Sequence, residues 1–289
     1  MFLRGKSKMK TFSKFEKRKN YLVCVDSDGC AMDTMDIKHF RCFGPCMVVE
    51  WSLEEWQDEI LARWNEINLY TITRGINRFK GLAMALSEIN DKYRAIDGVN
   101  ALVEWADNAP ELSGGALERL IAERPSEIIF QKALAWSKAV NEEINNLPND
   151  AKLPFSMVKE ALIEAHKYAD VAIVSSANLD AVLEEWDMHG LLDSVDVVMS
   201  QNDGSKVYCI GELIKLGYNN INVVMCGDAP GDLKAAEKNC VHFFPILVGK
   251  ERESWEEFIH TALPKLLDGS LGGEYQEGKI VAFYKNLGE

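Results

Sequence analysis

Asp26 and Asp28 stand one residue apart in Tyr21-Leu-Val-Cys-Val-Asp-Ser-Asp-Gly29, where an apolar run ends in a glycine turn. Residues at i and i+2 on a straight strand share a face. At the carboxyl end of a strand the chain is already turning, so one acid can point at a substrate while the other flanks it. Two carboxylates so placed have the parts for phosphoryl transfer, one as nucleophile and the other as acid and base. The same four residues, Asp-Ser-Asp-Gly, also make an ordinary turn, since each is a turn former.

Three later segments bear on that choice. Val171-Ala-Ile-Val-Ser175 is a second short apolar run ending in a hydroxyl, and Lys206 follows a Gly-Ser turn. Ile221 to Cys226 is a third run, leading into Gly227-Asp228-Ala-Pro-Gly-Asp232. In this order the four segments resemble the motifs of the haloacid dehalogenase superfamily, over about residues 21–250 apart from a middle insert.

The resemblance implies a division of labour. Phosphate esters resist attack because the phosphoryl group is anionic, so a carboxylate nucleophile needs a cation beside it. Asp26 would form an aspartyl-phosphate, and Asp28 would protonate the leaving alcohol and then activate water. A carboxylate at position 28 distinguishes the phosphatase and phosphomutase branches from the dehalogenase and phosphonate-cleaving ones. Magnesium, which prefers oxygen ligands, would be held by the Asp26 carboxylate, the Asp28 main-chain oxygen and Asp228. Asp232 would either join the metal or hold the lysine. Ser175 would donate to a phosphoryl oxygen, Ser176 would contribute to substrate binding, and Lys206 would offset charge on the intermediate. The family's usual Lys-Pro pair is replaced here by Lys206-Val207. The implied activity is a magnesium-dependent phosphohydrolase, a phosphoric monoester phosphatase acting on a small phosphorylated metabolite. The alternative is a phosphomutase of the β-phosphoglucomutase type, and a third reading is a non-catalytic binding protein that keeps the fold.

Elements that could position these residues are legible as periodicity. Tyr21–Val25, Val171–Val174, Val195–Met199, Ile221–Cys226 and Phe243–Val248 read as buried strands alternating with helices. That pattern predicts an α/β fold with a Rossmann-like parallel sheet covered on both faces. Val158, Leu162, Ala165 and Ala169 mark one helical face within 154–169. Between the first strand and that helix the texture is all-helical. Trp56, Ile60, Leu61, Trp64 and Ile67 form one stripe, Ile76, Phe79, Leu82, Leu86 and Ile89 another, and five of the seven tryptophans lie here. By resemblance this is an enlarged helical cap that closes over the site and selects the substrate. The expected organisation is a basic arm (1–20), a catalytic core (21–40 and 153–289) and a cap (41–152), with hinges at 42–49 and 148–154. Within the cap, Arg74 and Arg78 are four apart, share a face if helical, and suit an anionic group on the substrate. Their alternative partners are the acids Glu54, Glu55 and Asp58. Ser113-Gly-Gly115 is either a specificity loop or a helix start.

Composition limits the remaining possibilities. The 289 residues suffice for two domains, and no apolar run approaches membrane-span length. Net charge is -13, yet residues 1–20 hold eight Lys/Arg against one Glu, leaving -20 on the rest. Nucleic acid is therefore not an expected partner of the body. The arm is expected to be a frayed, solvated terminus without the apolar stretch of a secretory signal. Seven cysteines, two of them within strand runs, predict a reduced, cytoplasmic setting. His39, Cys42 and Cys46 lack a second nearby pair to complete a zinc site. Oligomeric state is not legible.

Overall fold

The computed structural model describes residues 11–289 and divides into two compact units. One comprises Lys152–Leu287 together with the chain up to Thr34; the other is Met35–Ala151.

The first unit is built on a five-stranded parallel sheet of order β3-β2-β1-β4-β5. Its strands are β1 (Tyr21–Val25), β2 (Ala169–Val174), β3 (Val197–Met199), β4 (Val223–Gly227) and β5 (His242–Pro245). All but the first residues of β1 and β5 are buried. This is why the strands read as continuous apolar runs rather than alternating ones. Central β1 pairs with β2 through Val25↔Ile173 and with β4 through Val25↔Cys226. The strand order reverses direction at β1, so the crevice outside the carboxyl ends of β1 and β4 is the topological switch point.

Three strand boundaries differ from the sequence expectation, each for a local reason. β3 starts at Val197 because the Asp196 carboxylate takes the Val171 N–H (2.9 Å), replacing a ladder carbonyl. Asn219 caps a short 3-10 turn, Asn220–Asn222, so Ile221 is exposed and β4 starts after it. β5 stops at Pro245 because its partner β4 ends at Gly227, whose carbonyl takes the Ile246 amide at 2.9 Å as the last bond of the ladder.

The basic arm is a correction. Residues 1–10 lie outside the described part, but the chain from Thr11 is fastened to the sheet unit rather than frayed. Thr11 bridges Val198, and Lys17 donates to the Gly217 carbonyl at 2.5 Å. Fully buried Asp170 accepts the Arg18 and Lys19 amides, both at 2.9 Å, and the Tyr218 hydroxyl at 2.6 Å.

The second unit is helical. Its principal helices are Gly44–Trp51, Gln57–Asn65, Arg78–Lys92, Val99–Asn108, Gly114–Glu123 and Ile128–Asn146. Trp136 meets Trp64 and Phe79 edge to face in its core, and Trp105 meets Phe79 and Phe130 likewise, with Trp64 and Trp136 centroids 6.0 Å apart. Residues 42–49, expected as a hinge, lie in continuous helix with Cys42, Met47 and Val48 buried. Ser113 proves to be a helix cap, its Oγ accepting the Ala116 amide at 3.1 Å. Among the described residues no helix is long and apolar enough to cross a membrane.

Candidate active site

β1 ends at Val25, and its hydrogen-bond ladder with β4 runs one step further. The Asp26 amide donates to the Cys226 carbonyl at 3.0 Å. That bond brings the turn after β1 beside the turn after β4. Asp26, Asp228 and Asp232 are each no more than 5% exposed, and one carboxylate oxygen from each lies within 4.8 Å of the others. Among the described residues this is the one His/Cys/Asp/Glu group compact enough to share an ion. His39 is occupied otherwise, stacking on Phe43 and accepting the Trp64 indole N–H at 3.0 Å.

Lys206 opens the helix Lys206–Ile214, where Ser205 caps the first turn by accepting the Tyr208 amide. Its Nζ reaches Asp26 Oδ2 at 2.8 Å and Asp232 Oδ1 at 2.6 Å. The other Asp232 oxygen accepts the Ala229 amide at 3.1 Å, so Asp232 both starts the helix Pro230–Lys238 and steers the lysine. Burial works against the Lys206 ammonium, but the Asp232 and Asp26 carboxylates outweigh it and its pKa is raised. Asp26 is pushed well above the ordinary carboxylate range by burial, opposed by Lys206 and reinforced by Asp232 and Asp228. Lys206 thus touches two of three clustered buried carboxylates, and a hard divalent cation among their oxygens would offset the charge they carry.

Asp28 is half-buried in the turn that follows, at which Gly29 adopts φ +81°. One Asp28 oxygen accepts the hydroxyl of buried Thr34 at 2.6 Å. Ser175 lies just beyond β2; its amide donates to Met199 O at 3.0 Å and its Oγ accepts the Ala177 amide at 3.1 Å. Ser176 beside it is exposed.

Arg74 and Arg78, in the helical unit, are placed differently from the expected shared face. Asn77 caps the helix that begins at Arg78, accepting the Phe79 amide at 2.9 Å, so Arg74 is left in the preceding turn. Arg74 is buried and donates to the Leu69 carbonyl at 2.7 Å. Arg78 bonds Asn141 Oδ1 at 2.8 Å and Ser137 Oγ at 3.2 Å, with its guanidinium over the Phe43 ring.

Two contributors escaped the sequence reading. Thr34 was detectable only as a hydroxyl ending the Cys30–Asp33 segment. Gly227 is required by packing, because a Cβ there would lie 2.3 Å from the Asp232 Cβ. Its signal is a glycine directly before an acid at a strand end.

A parallel sheet with buried acids and a lysine at its switch point has the arrangement of an α/β enzyme's active site. Residues 110–246 match the model of the haloacid dehalogenase-like hydrolase family. That match takes in Ser175, Lys206, Asp228 and Asp232. Over those residues, just under half of its length, the chain is similar to the haloacid dehalogenase-like hydrolases. Its fold is similar to that of a candidate phosphoglycolate phosphatase from Lactobacillus delbrueckii subsp. bulgaricus, at 16% identity and TM-score 0.50, covering 89% of this chain and 100% of the other. A haloacid dehalogenase-like family hydrolase from Streptococcus pneumoniae aligns at 9% identity and TM-score 0.47, covering 77% and 82%. A candidate β-phosphoglucomutase from Thermotoga maritima aligns at 16% and 0.45, covering 78% and 84%. A search of curated protein sequences finds no match.

Proposed function

We propose that this hydrolase is a magnesium-dependent phosphatase of small phosphorylated metabolites, working through an aspartyl-phosphate on Asp26. The observation that carries the reading is the buried Asp26 carboxylate touching Lys206, with Asp228 and Asp232 oxygens within 4.8 Å of it.

In the first step an Asp26 oxygen bonds to phosphorus as the ester P–O bond breaks, and Asp28 gives its proton to the departing alkoxide. In the second, Asp28 takes a proton from water, whose oxygen bonds to phosphorus and releases Asp26 and inorganic phosphate. Lys206 offsets charge on Asp26 in both steps, while Ser175 and Ser176 donate to the phosphoryl oxygens. Asp26, the Asp28 main-chain oxygen and Asp228 would hold magnesium, and the all-oxygen donor set with its surplus negative charge fits a hard cation. Bound there, the ion supplies further charge neutralisation for the phosphoryl group. Asp232, with an ammonium on one oxygen and an amide on the other, is assigned to holding Lys206.

Incubation with a panel of phosphorylated metabolites, reading both released phosphate and isomerised sugar phosphates, tests this directly. Phosphate release that requires magnesium is expected. Isomerisation without release would favour a mutase, and neither would leave a binding protein.

A further inference from the structure

The loop that carries both catalytic acids is wound tightly around one carbonyl. Ser27 O accepts the amides of Cys30, Ala31 and Met32 at 3.3, 3.0 and 2.8 Å, and Gly29 N donates to Met32 O at 2.9 Å. These bonds shape the loop but do not fix it to the rest of the unit. The loop's two ends are tied by main-chain bonds, Asp26 N to Cys226 O at 3.0 Å at one end and Phe155 N to Ala31 O at 3.0 Å with Asp33 N to Leu153 O at 2.8 Å at the other, and between them the Cys30 thiol reaches Cys226 O at 3.4 Å. Two tryptophans add indole anchors to the stretch around Asp28. Trp186, on the helix Leu179–Met188 after β2, donates its indole N–H to Ser27 Oγ at 2.9 Å. Trp255, on the helix Glu251–Glu257 after β5, donates its own to Cys30 O at 3.1 Å. Both indoles are fully buried, and both rings belong to the apolar core that also contains Val25 and Cys226.

The anchoring points, residues 27 and 30, bracket Asp28, and residue 27 directly follows Asp26. Phenylalanine would fill much of the same core volume at either position. What an indole adds is a donor for an oxygen that burial denies to water. Nucleophile and acid must be held to within a fraction of an ångström for in-line displacement, so the rigidity of this loop bears on rate rather than on affinity.

We propose that Trp186 and Trp255 are positioning residues for the reaction. Together they form an indole clamp that holds the Asp26–Asp28 loop through Ser27 and Cys30. The rate consequence rests on Asp26 and Asp28 having the roles proposed above; the clamp itself does not.

The test uses the full chain with Trp186→Phe, Trp255→Phe and the double variant. Ser27→Ala removes the first bond from the loop side and leaves the core ring in place. Tyr21→Phe is the control, since it deletes a comparable bond, Tyr21 Oη to Leu267 O at 2.8 Å, at the opposite end of β1. Each indole variant should speed amide hydrogen exchange across residues 27–32 at unchanged exchange elsewhere in the sheet. Each should also lower kcat about tenfold with KM within about twofold. Combining Trp186→Phe with Ser27→Ala should cost no more than either alone, because both delete one bond. Tyr21→Phe should leave loop exchange and kcat as they were. Unchanged exchange at 27–32 in all indole variants overturns the clamp, whatever the activity. A loosened loop with full kcat, in a protein that Asp26→Asn inactivates, overturns the positioning role. Absence of phosphate release by the wild type would instead count against the phosphatase reading, with the exchange data still deciding the clamp.

Discussion

At the scale of single residues, the site is a charge balance between buried acids and one lysine, and its predictions concern that balance. Asp28→Asn removes the proposed acid and base and should lower turnover on an ester with a poor leaving group by about 100- to 10,000-fold. Full rate on such an ester would remove Asp28 from the mechanism. Chelation should abolish phosphate release and magnesium should restore it, whereas calcium, with its looser and larger coordination shell, should inhibit. Equal rates with zinc alone would contradict the all-oxygen assignment. The placing of Asp26 and Asp228 at strand ends was legible in the sequence because each stands where an apolar run, and so a parallel strand, must end. The partnership of Asp232 with Lys206 was not, since it joins residues 26 apart through tertiary structure. The shared face expected of Arg74 and Arg78 is absent for a related reason. Their spacing of four implies a shared face only inside a helix, and Asn77 starts that helix after Arg74.

At the scale of elements, the turn after β4 depends on the absence of a side chain at Gly227. A Cβ there would overlap the Asp232 carboxyl group, with all three nearest atoms within 2.5 Å. Gly227→Ala should therefore displace Asp232, release Lys206 and lower both melting temperature and activity, and a variant with wild-type values of both would show that the packing gives way cheaply. In the helical unit, Arg78 holds the start of its helix to Ser137 and Asn141, so Arg78→Ala should destabilise the protein by about 1–3 kcal/mol and affect every substrate alike. A defect confined to one metabolite at unchanged stability would return Arg78 to substrate reading. The strands were legible in the sequence as apolar runs, but their ends were not. Asp196, Asn219 and the turn of β4 after Gly227 bound the strands by side-chain capture, a cap and the loss of a partner, none of which alters hydropathy.

At the scale of the whole molecule, the described part of the basic arm is integral to the sheet unit. Asp170 gathers two arm amides and the Tyr218 hydroxyl on one oxygen at the amino ends of the strands. Burial, reinforced by Asp170, raises the Tyr218 pKa, so folding favours the protonated phenol. That contribution is fully present below about pH 10, the ordinary tyrosine value, and is lost as pH rises from there toward the folded-state value. Denaturant midpoints should fall more steeply above about pH 10 for the wild type than for Tyr218→Phe, and parallel curves would show that the phenol does not couple to folding. The charge asymmetry that made the arm look solvated is real in the sequence. The contacts that bind it are main-chain amides on Asp170 and lysine ammoniums on main-chain carbonyls, pairings that composition does not reveal.

The central claim is that phosphorus is transferred to Asp26. Acid quenching during turnover, followed by peptide mapping by mass, should find one phosphoryl group on the peptide containing Asp26 and none in Asp26→Asn, which should be folded and inactive. Wild-type phosphate release from folded Asp26→Asn, or a phosphoryl group trapped on a different residue, would contradict it.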